Sequence, residues 1–248
     1  MNFIYEDINI NYEVMGKAEP IIILHGWGRS LDDFLDIAGV LSKKYQVYII
    51  DLPGFGKSDI PRESYSLDDY VLFLKKFIIS KNISNPIIIG HSFGGRIAIR
   101  YASIYKVNKL ILISSAGIKR FSIKVKSKVL IYKIKKWYFR TLNKVSSYEK
   151  LLSSSGSKDY LSASVIMKKT LINVVSIDQR TELKEITAET LLMWGKYDTL
   201  TPYKDGLLMN KKIKNSGIVT FNTGHFPFLE EPYVFKQVIK NYLGIGDN

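Results

Sequence analysis

Five short, continuously apolar runs recur along the chain, each bounded by turn-forming residues. They occupy residues 21–24, 47–50, 87–89, 110–113 and 191–194. Continuous rather than alternating apolarity is typical of strands covered on both faces, as in a parallel sheet. Two alternating stretches near the N-terminus, residues 3–8 and 10–14, instead predict an antiparallel hairpin at one edge of that sheet.

Amphipathic helical patterns lie between and after these runs, at residues 67–80, 95–105 and 234–243. Ser66 precedes the first of them, with Asp69 three positions later, which resembles a capping box with Asp in place of Glu. Strands that alternate with helices indicate βαβ units. The predicted class is therefore α/β, with a mostly parallel, doubly wound sheet.

Most of the excess positive charge falls in one segment. The chain has 36 basic and 23 acidic residues, a net charge of +13. Residues 118–184 hold 16 basic and 4 acidic residues, with no proline and one glycine. This shift in composition predicts a separate helical insertion, which includes a basic amphipathic helix near residues 130–144.

The lysine-rich insertion raises the question of an anionic partner. Basic surfaces attract nucleic acid, anionic membranes or acidic substrates. Lysine lacks the bidentate geometry that arginine offers to bases and phosphates. We therefore expect a solvated helix face and no nucleic-acid partner, with peripheral contact to an anionic membrane as the weaker alternative. The sequence does not predict an oligomeric state.

The absence of cysteine excludes several kinds of chemistry. Disulfide frameworks, cysteine zinc sites, iron–sulfur clusters and thiol nucleophiles all require that residue, and the chain has none. No apolar run approaches the roughly 18 residues that cross a bilayer. The first ten residues also lack the basic and apolar regions of a signal peptide. We expect a cytoplasmic protein.

The strongest chemical signal is GHSFGG at residues 90–95, which contains the pattern G-x-S-x-G between a predicted strand and a predicted helix. Such a turn is too tight for side chains beside the backbone, so Gly90 and Gly94 are sterically required. Ser92 then stands exposed at the end of the strand. The helix that follows favours negative charge developing at its N-terminus.

A serine hydroxyl needs a base within hydrogen-bonding reach. The chain has three histidines. His91 shares the sharp turn with Ser92 and cannot easily face its hydroxyl, and His25 follows an earlier strand, so His225 is the candidate base. Asp198 follows the strand at 191–194 and precedes His225, which makes it the candidate for the carboxylate that orients the imidazole.

Acyl transfer also requires hydrogen-bond donors for the oxyanion. The sequence HGWG at residues 25–28 follows the first apolar run and supplies a glycine-rich turn through Gly26 and Gly28. The backbone amides of Trp27 and Phe93 are the candidate donors, since Phe93 directly follows the nucleophile.

Taken together, these motifs resemble the α/β-hydrolase superfamily. The resemblance is carried by HGWG, DLPGFGKS at 51–58, GHSFGG, the WGKYDTLTP segment at 194–202 and TGHFPFLEEP at 223–232. It implies an eight-stranded α/β-hydrolase core made of residues 1–117 and 185–248, with residues 118–184 as a helical cap over the active site. It further implies a carboxylic-ester hydrolase that uses a Ser92–His225–Asp198 triad and no metal or organic cofactor.

The residues leave the substrate open. Ester and thioester hydrolysis by this triad are not separable from sequence, and the expected partner is a small acyl substrate, with an anionic acyl group as one hypothesis. A carbon–carbon hydrolase acting on a vinylogous diketone uses the same triad, and Lys168, Lys169 or Arg180 could then bind a substrate carboxylate. A third alternative is a member of the fold that binds a small molecule with little turnover.

Overall fold

Eight strands form one sheet in the computed structural model, which describes residues 1–119 and 163–246. The strands are β1 Asn2–Tyr5, β2 Ile8–Met15, β3 Pro20–Leu24, β4 Gln46–Ile50, β5 Ile87–His91, β6 Lys109–Ile113, β7 Glu189–Gly195 and β8 Ser216–Phe221. Their order across the sheet is β1-β2-β4-β3-β5-β6-β7-β8. Pairing is antiparallel for β1 with β2 and β2 with β4, and parallel elsewhere.

Helices of the described residues cover both faces of the sheet. They are α1 Leu35–Leu41, α2 Leu67–Ser80, α3 Phe93–Ile104, α4 Val165–Val175, α5 Tyr203–Lys212, α6 Pro227–Glu230 and α7 Pro232–Leu243. Short 3-10 turns lie at Leu31–Phe34 and Glu182–Lys184. The mostly parallel, doubly wound α/β class predicted from the sequence is confirmed.

The central strands have apolar residues at consecutive positions because two cores need them. Ile21 and Ile23 of β3 pack into the core formed with α1, α6 and α7. Ile22 and Leu24 of the same strand point to the opposite core, formed with α2, α3, α4 and α5. Since successive side chains of a strand alternate between faces, a strand buried on both sides has no polar face.

Element boundaries differ from the predicted ones by one to three residues. The first hairpin turns at Glu6 and Asp7, where Glu6 has φ 50°, so Ile8 belongs to β2 rather than to β1. The helix predicted from residue 95 begins at Phe93 and ends at Ile104, because the turn at Ser92 leads straight into it. The helix predicted from residue 234 begins at Pro232, since proline is tolerated in a first helical turn.

The capping box predicted at the start of α2 is present in full. Ser66 Oγ accepts a hydrogen bond from the backbone N–H of Asp69, and an oxygen of Asp69 accepts one from the backbone N–H of Ser66. α2 spans Leu67–Ser80, the predicted range.

Most of the predicted insertion lies outside the described residues, including the basic helix expected near 130–144. Its described part consists of residues 118–119 and 163–184, with α4 and the turn at Glu182–Lys184. Within residues 1–119 and 163–246, no helix is both long and apolar enough to cross a bilayer.

The sheet topology places four loops side by side. Leu24 is paired with Gly90, so the loop after β3 lies beside the turn after β5. Gly195 is paired with Phe221, so the loops after β7 and β8 are neighbours at the same edge. In open α/β sheets, ligands bind at this carboxyl edge of the strands.

Candidate active site

Ser92 occupies a strained backbone position between β5 and α3. Its φ of 51° and ψ of −108° lie outside the regions that non-glycine residues favour, and such conformations persist only where the surroundings hold them. The backbone N–H of Ser92 donates to the carbonyl of Ile113 at 3.0 Å, and its carbonyl accepts from Ala116 N at 2.9 Å. These bonds fasten the turn to β6 and to the loop that follows it.

Glycine is required at both ends of this turn for steric reasons. A Cβ on Gly90 would lie 2.6 Å from the carbonyl oxygen of Gly94, and a Cβ on Gly94 would lie 2.2 Å from that of Leu24. Both distances are far below ordinary van der Waals contact. At both glycines of the G-x-S-x-G motif, the backbone therefore passes too close to a neighbouring carbonyl for any larger residue.

Asp198 and His225 meet directly in a buried position. Their side chains are 4% and 8% exposed, and His225 Nδ1 lies 2.8 Å from Asp198 Oδ2. The other carboxylate oxygen of Asp198 accepts hydrogen bonds from the backbone N–H groups of Leu200 and Thr201, at 2.8 and 2.9 Å. This arrangement leaves the Nε2 atom of His225 for a substrate or nucleophile.

The charge on Asp198 is stabilised despite its burial. Burial alone raises the pKa of a carboxyl group, but hydrogen bonds from His225 and Thr201 and the charge of His225 outweigh it. The pKa of Asp198 therefore lies below its ordinary value. A carboxylate ionised in this way can hold the imidazole in the tautomer that carries the proton on Nδ1.

His91, the residue before Ser92, contacts His225 directly and so places Ser92 near the Asp198–His225 pair. His91 Nε2 donates to the backbone carbonyl of His225 at 3.0 Å, and the two imidazole rings are 4.8 Å apart. Among the described residues, the ring of His225 is hydrogen-bonded to Asp198 and Thr201 but not to Ser92. In ligand-free enzymes such catalytic hydrogen bonds are often long and tighten only when substrate binds.

The glycine-rich loop after β3 packs against the Ser92 turn. A Cβ on Gly26 would lie 3.5 Å from Ser92 Cβ, and the carbonyl of His25 accepts from Gly94 N at 3.1 Å. Within the described residues, the backbone amides of Trp27 and Phe93 donate no hydrogen bond. Both amides therefore lack a partner among the described residues, and their role as oxyanion donors stays a prediction. Gly28 has φ +70°, which suits glycine.

Sequence reasoning missed four residues that hold the catalytic candidates in place. Thr201 Oγ1 lies 2.7 Å from Asp198 Oδ2. The carboxylate of Glu230 accepts hydrogen bonds from the backbone N–H groups of residues 224 and 226, on either side of His225. His25 and His91, which the sequence offered only as rejected bases, anchor backbone on either side of the site. Local spacing carries little sign of these roles, because each contact spans a loop or joins distant strands.

His25 and His91 are both buried and neutral. His25 Nδ1 donates to Gly26 O at 2.7 Å, and its Nε2 accepts from Leu52 N at 3.0 Å, so its tautomer is set by two backbone groups. Burial lowers the pKa of His25, and burial together with the neighbouring His225 lowers the pKa of His91 to about 3. Protonation of either ring would place an uncompensated charge beneath the site. Within residues 1–119 and 163–246, no three His, Asp or Glu side chains are grouped to hold a metal.

Comparisons with known proteins agree on the fold. A family model described as "alpha/beta hydrolase fold" matches residues 19–127. The chain is 27% identical over 256 residues to the pimeloyl-[acyl-carrier protein] methyl ester esterase of Wigglesworthia glossinidia brevipalpis, over 94% of this chain and 96% of that one. Among solved structures, the esterase EaEST of Exiguobacterium antarcticum is similar with a TM-score of 0.75 and 25% identity, over 96% of each chain.

A second solved structure shares the fold at lower identity. It is the meta-cleavage product hydrolase CumD of Pseudomonas fluorescens IP01, with a TM-score of 0.75 and 22% identity over 98% of this chain and 97% of that one. At this identity the likeness concerns the fold alone.

The buried histidines predict a pH dependence of stability. Their pKa values lie below 6.5 in the folded state, so the unfolded chain binds more protons in acid. For His91, the stabilisation is full well above pH 6.5 and is lost as the pH drops from 6.5 towards about 3, by up to about 1.4 kcal/mol per pH unit. His25 contributes a slope of the same sign, since its pKa is also lowered. Urea unfolding between pH 7.5 and 4.5 measures this slope, in a window above the titration of Asp198.

The control is His91→Gln, in which an amide at the same reach can donate to the carbonyl of His225 without titrating. We expect this variant to have a flatter dependence of the unfolding free energy on pH than the wild type. Equal slopes in the two proteins would contradict the assignment of His91 as a buried neutral group.

Proposed function

This chain belongs to the α/β-hydrolase superfamily, and we propose that it is a serine hydrolase that cleaves a carboxylic ester or thioester through an acyl-enzyme. The observation that carries the proposal is the buried 2.8 Å hydrogen bond between His225 Nδ1 and Asp198 Oδ2, next to the strained turn of Ser92. A serine, a histidine and an ionised carboxylate in this chain order are the parts that acyl transfer needs.

In the proposed reaction, Ser92 Oγ attacks the acyl carbonyl carbon while His225 Nε2 accepts the serine proton. Asp198 stabilises the imidazolium that forms. The backbone amides of Trp27 and Phe93 donate to the oxyanion, and the start of α3 adds its positive end. His225 then gives the proton to the leaving alcohol or thiol.

Deacylation repeats these steps with water. His225 removes a proton from a water molecule, the resulting hydroxide attacks the acyl-enzyme, and the proton passes to Ser92 Oγ as the acid leaves. Each half of the cycle returns His225 to its neutral state, while Asp198 stays ionised throughout. No metal or organic cofactor enters this scheme.

Two relatives support an ester as the substrate. The Wigglesworthia relative is named for a methyl ester, and EaEST is named an esterase. We extend ester hydrolysis to this chain as a class of reaction, without its relatives' particular substrates. Residues 118–184 are proposed as the cap, of which the structure describes 118–119 and 163–184.

Carbon–carbon bond hydrolysis is the second candidate, since the fold of CumD is shared. Such a hydrolase would need a cation to bind a substrate carboxylate. Arg180 is one candidate, and the structure describes the contacts of its guanidinium. Its guanidinium is already bonded to Asp178 and to the carbonyl of Lys119. This existing pairing argues against Arg180 as the cation for that carboxylate and leaves Lys168 and Lys169 as the candidates named from the sequence.

Ser92→Ala tests the nucleophile. We expect the turnover of short-chain aryl esters to fall by about 10⁵- to 10⁶-fold, because the triad acts as a unit. The matched control is Ser103→Ala on the same helix α3, whose hydroxyl donates to the carbonyl of Arg100. It should keep full activity, and both variants should unfold at the wild-type urea concentration. Ester turnover that survives Ser92→Ala would reject the assignment.

Asp198→Asn tests the orienting carboxylate. An amide at this position favours the wrong imidazole tautomer, and the expected loss in kcat is about 10⁴-fold. Asp68→Asn serves as control, since Asp68 is an exposed partner of Arg100 on the surface of the molecule. Steady-state hydrolysis of an aryl ester measures both variants. A loss below tenfold in Asp198→Asn would argue for a different acid.

A further inference from the structure

We propose that a cavity beside Trp27 binds an uncharged, unbranched apolar chain of the substrate, and that Met167 sets the length of chain accepted. The inference rests on the proposed function and names the class of substrate for that same site. It departs from the sequence expectation of an anionic acyl group, which followed from the charge of residues 118–184.

The cavity is lined mainly by apolar side chains. It has a volume of about 280 Å³ and is lined by five apolar side chains, two glycines and one serine. The apolar side chains are Trp27, Phe55, Ile60, Ala163 and Met167, and Ser164 is the one polar side chain among the described lining residues. None of the lining residues in the described part of the chain is charged, so these residues offer no cation to compensate a carboxylate for lost hydration.

The cavity adjoins the reacting centre. Trp27, which lines it, is the residue whose amide is proposed to donate to the oxyanion, and its ring packs edge-on against that of Phe93 at 5.3 Å. A Cβ on Gly26, one residue earlier, would lie 3.5 Å from Ser92 Cβ. The cavity is therefore a neighbour of the turn that carries Ser92, through Trp27 and Gly26.

Another cavity, of about 350 Å³, has a different character. It lies between the first hairpin and residues 62–65, and Glu6, Asp7, Glu63 and Asp69 contribute carboxyl groups to its lining. None of the candidate catalytic residues lines it. It carries no inference about the ester substrate.

Met167 closes one side of the Trp27 cavity. The side chain is 3% exposed, and a Cβ on Gly54 would lie 2.5 Å from both Sδ and Cε of Met167. The thioether thus occupies the space that the missing side chain of Gly54 leaves free. Gly54 has φ +89°, so the backbone there also favours glycine.

The helix that carries Met167 is fixed to the core. Thr170 Oγ1 accepts a hydrogen bond from Tyr65 N at 2.9 Å, and Asn173 Nδ2 donates to Tyr65 O at 3.3 Å. Ser164 caps the helix by accepting from Met167 N at 3.2 Å. The two contacts with Tyr65 fix the position of the helix, and with it the position from which the buried side chain of Met167 enters the cavity wall.

Two consequences follow for chain length. Burial of one methylene is worth about a fourfold gain in affinity or in kcat/KM. Small-molecule sites commonly span roughly 300–1,000 Å³, so this cavity of about 280 Å³ suits a short to medium chain. Removing the thioether of Met167 should lengthen the chain that fits.

The experiment compares aryl esters of unbranched fatty acids from acetate to dodecanoate. In the wild type, kcat/KM should rise about fourfold per methylene and then fall once the chain outgrows the cavity. Met167→Ala should move the optimum to longer acids and raise the ratio of dodecanoate to butyrate hydrolysis at least about tenfold, the worth of two further buried methylenes. An aryl ester whose acyl chain ends in a carboxylate should react at least about 100-fold more slowly than a neutral ester of equal length.

Two control variants accompany this series. Met209→Ala removes an equally buried methionine from α5, outside the cavity lining, and should keep the wild-type optimum. Met167→Leu retains a side chain of similar volume and should also keep the wild-type optimum of chain length. A parallel series with a fixed acid and alcohols of increasing length shows whether the chain belongs to the acyl or the alcohol part, because only the matching series shifts in Met167→Ala.

A binding measurement separates this proposal from the proposed function. In the Ser92→Ala background, the Kd of methyl ketones of increasing chain length is read from tryptophan fluorescence, with and without Met167→Ala. A shift in the preferred ketone length between Ser92→Ala and the double variant with Met167→Ala supports the cavity assignment. If the wild type at the same time hydrolyses no ester, the proposed function fails and the cavity assignment stands. Hydrolysis that depends on Ser92, with the same chain-length optimum in the wild type and Met167→Ala for both ester series, overturns the cavity assignment alone.

Discussion

The site depends on a backbone crossing that leaves no room for side chains. At the end of β5 the chain turns so tightly that Gly94 lies against the carbonyl of Leu24, and Gly90 lies against the carbonyl of Gly94. That packing forces Ser92 into a positive φ and starts α3 one residue later. Because β3 and β5 are paired through Leu24 and Gly90, the same crossing brings the HGWG loop beside the serine. The strained turn raises the free energy of the folded state, and burial of apolar side chains in the two cores of the sheet offsets this cost.

Electrostatics complement this geometry. The ionised carboxylate of Asp198 is the charge that the buried pair needs, and two backbone N–H groups hold it in place. Beneath the site, His25 and His91 stay neutral, and each forms a hydrogen bond with the backbone of a neighbouring loop. The proposed mechanism thus assigns the proton transfer to His225, while burial keeps the two other imidazoles neutral.

The sequence was informative where the chemistry is local. The strands and their two-sided burial could be read from continuous apolar runs, and the Ser92 turn from its two glycines, because each pattern reflects the steric demands of adjacent residues. The roles of His25 and His91 could not be read, since their contacts with Leu52 and His225 join segments far apart in the chain. Thr201 and Glu230 contact near neighbours in sequence, but through loop conformations that no periodic pattern predicts. The apolar cavity was also hidden. The net charge of residues 118–184 led to the hypothesis of an anionic acyl group, whereas the described side chains that line the cavity are uncharged.

The central claim is that His225 activates Ser92 as a nucleophile. Its most direct test is the rate of covalent labelling by a fluorophosphonate, followed by peptide mapping of the modified residue. The account predicts a single label on Ser92 and a rate at least about 10³-fold lower in His225→Gln, since removing the base leaves only a weak alcohol. A label on another serine, or a labelling rate at Ser92 that His225→Gln leaves unchanged, would contradict it.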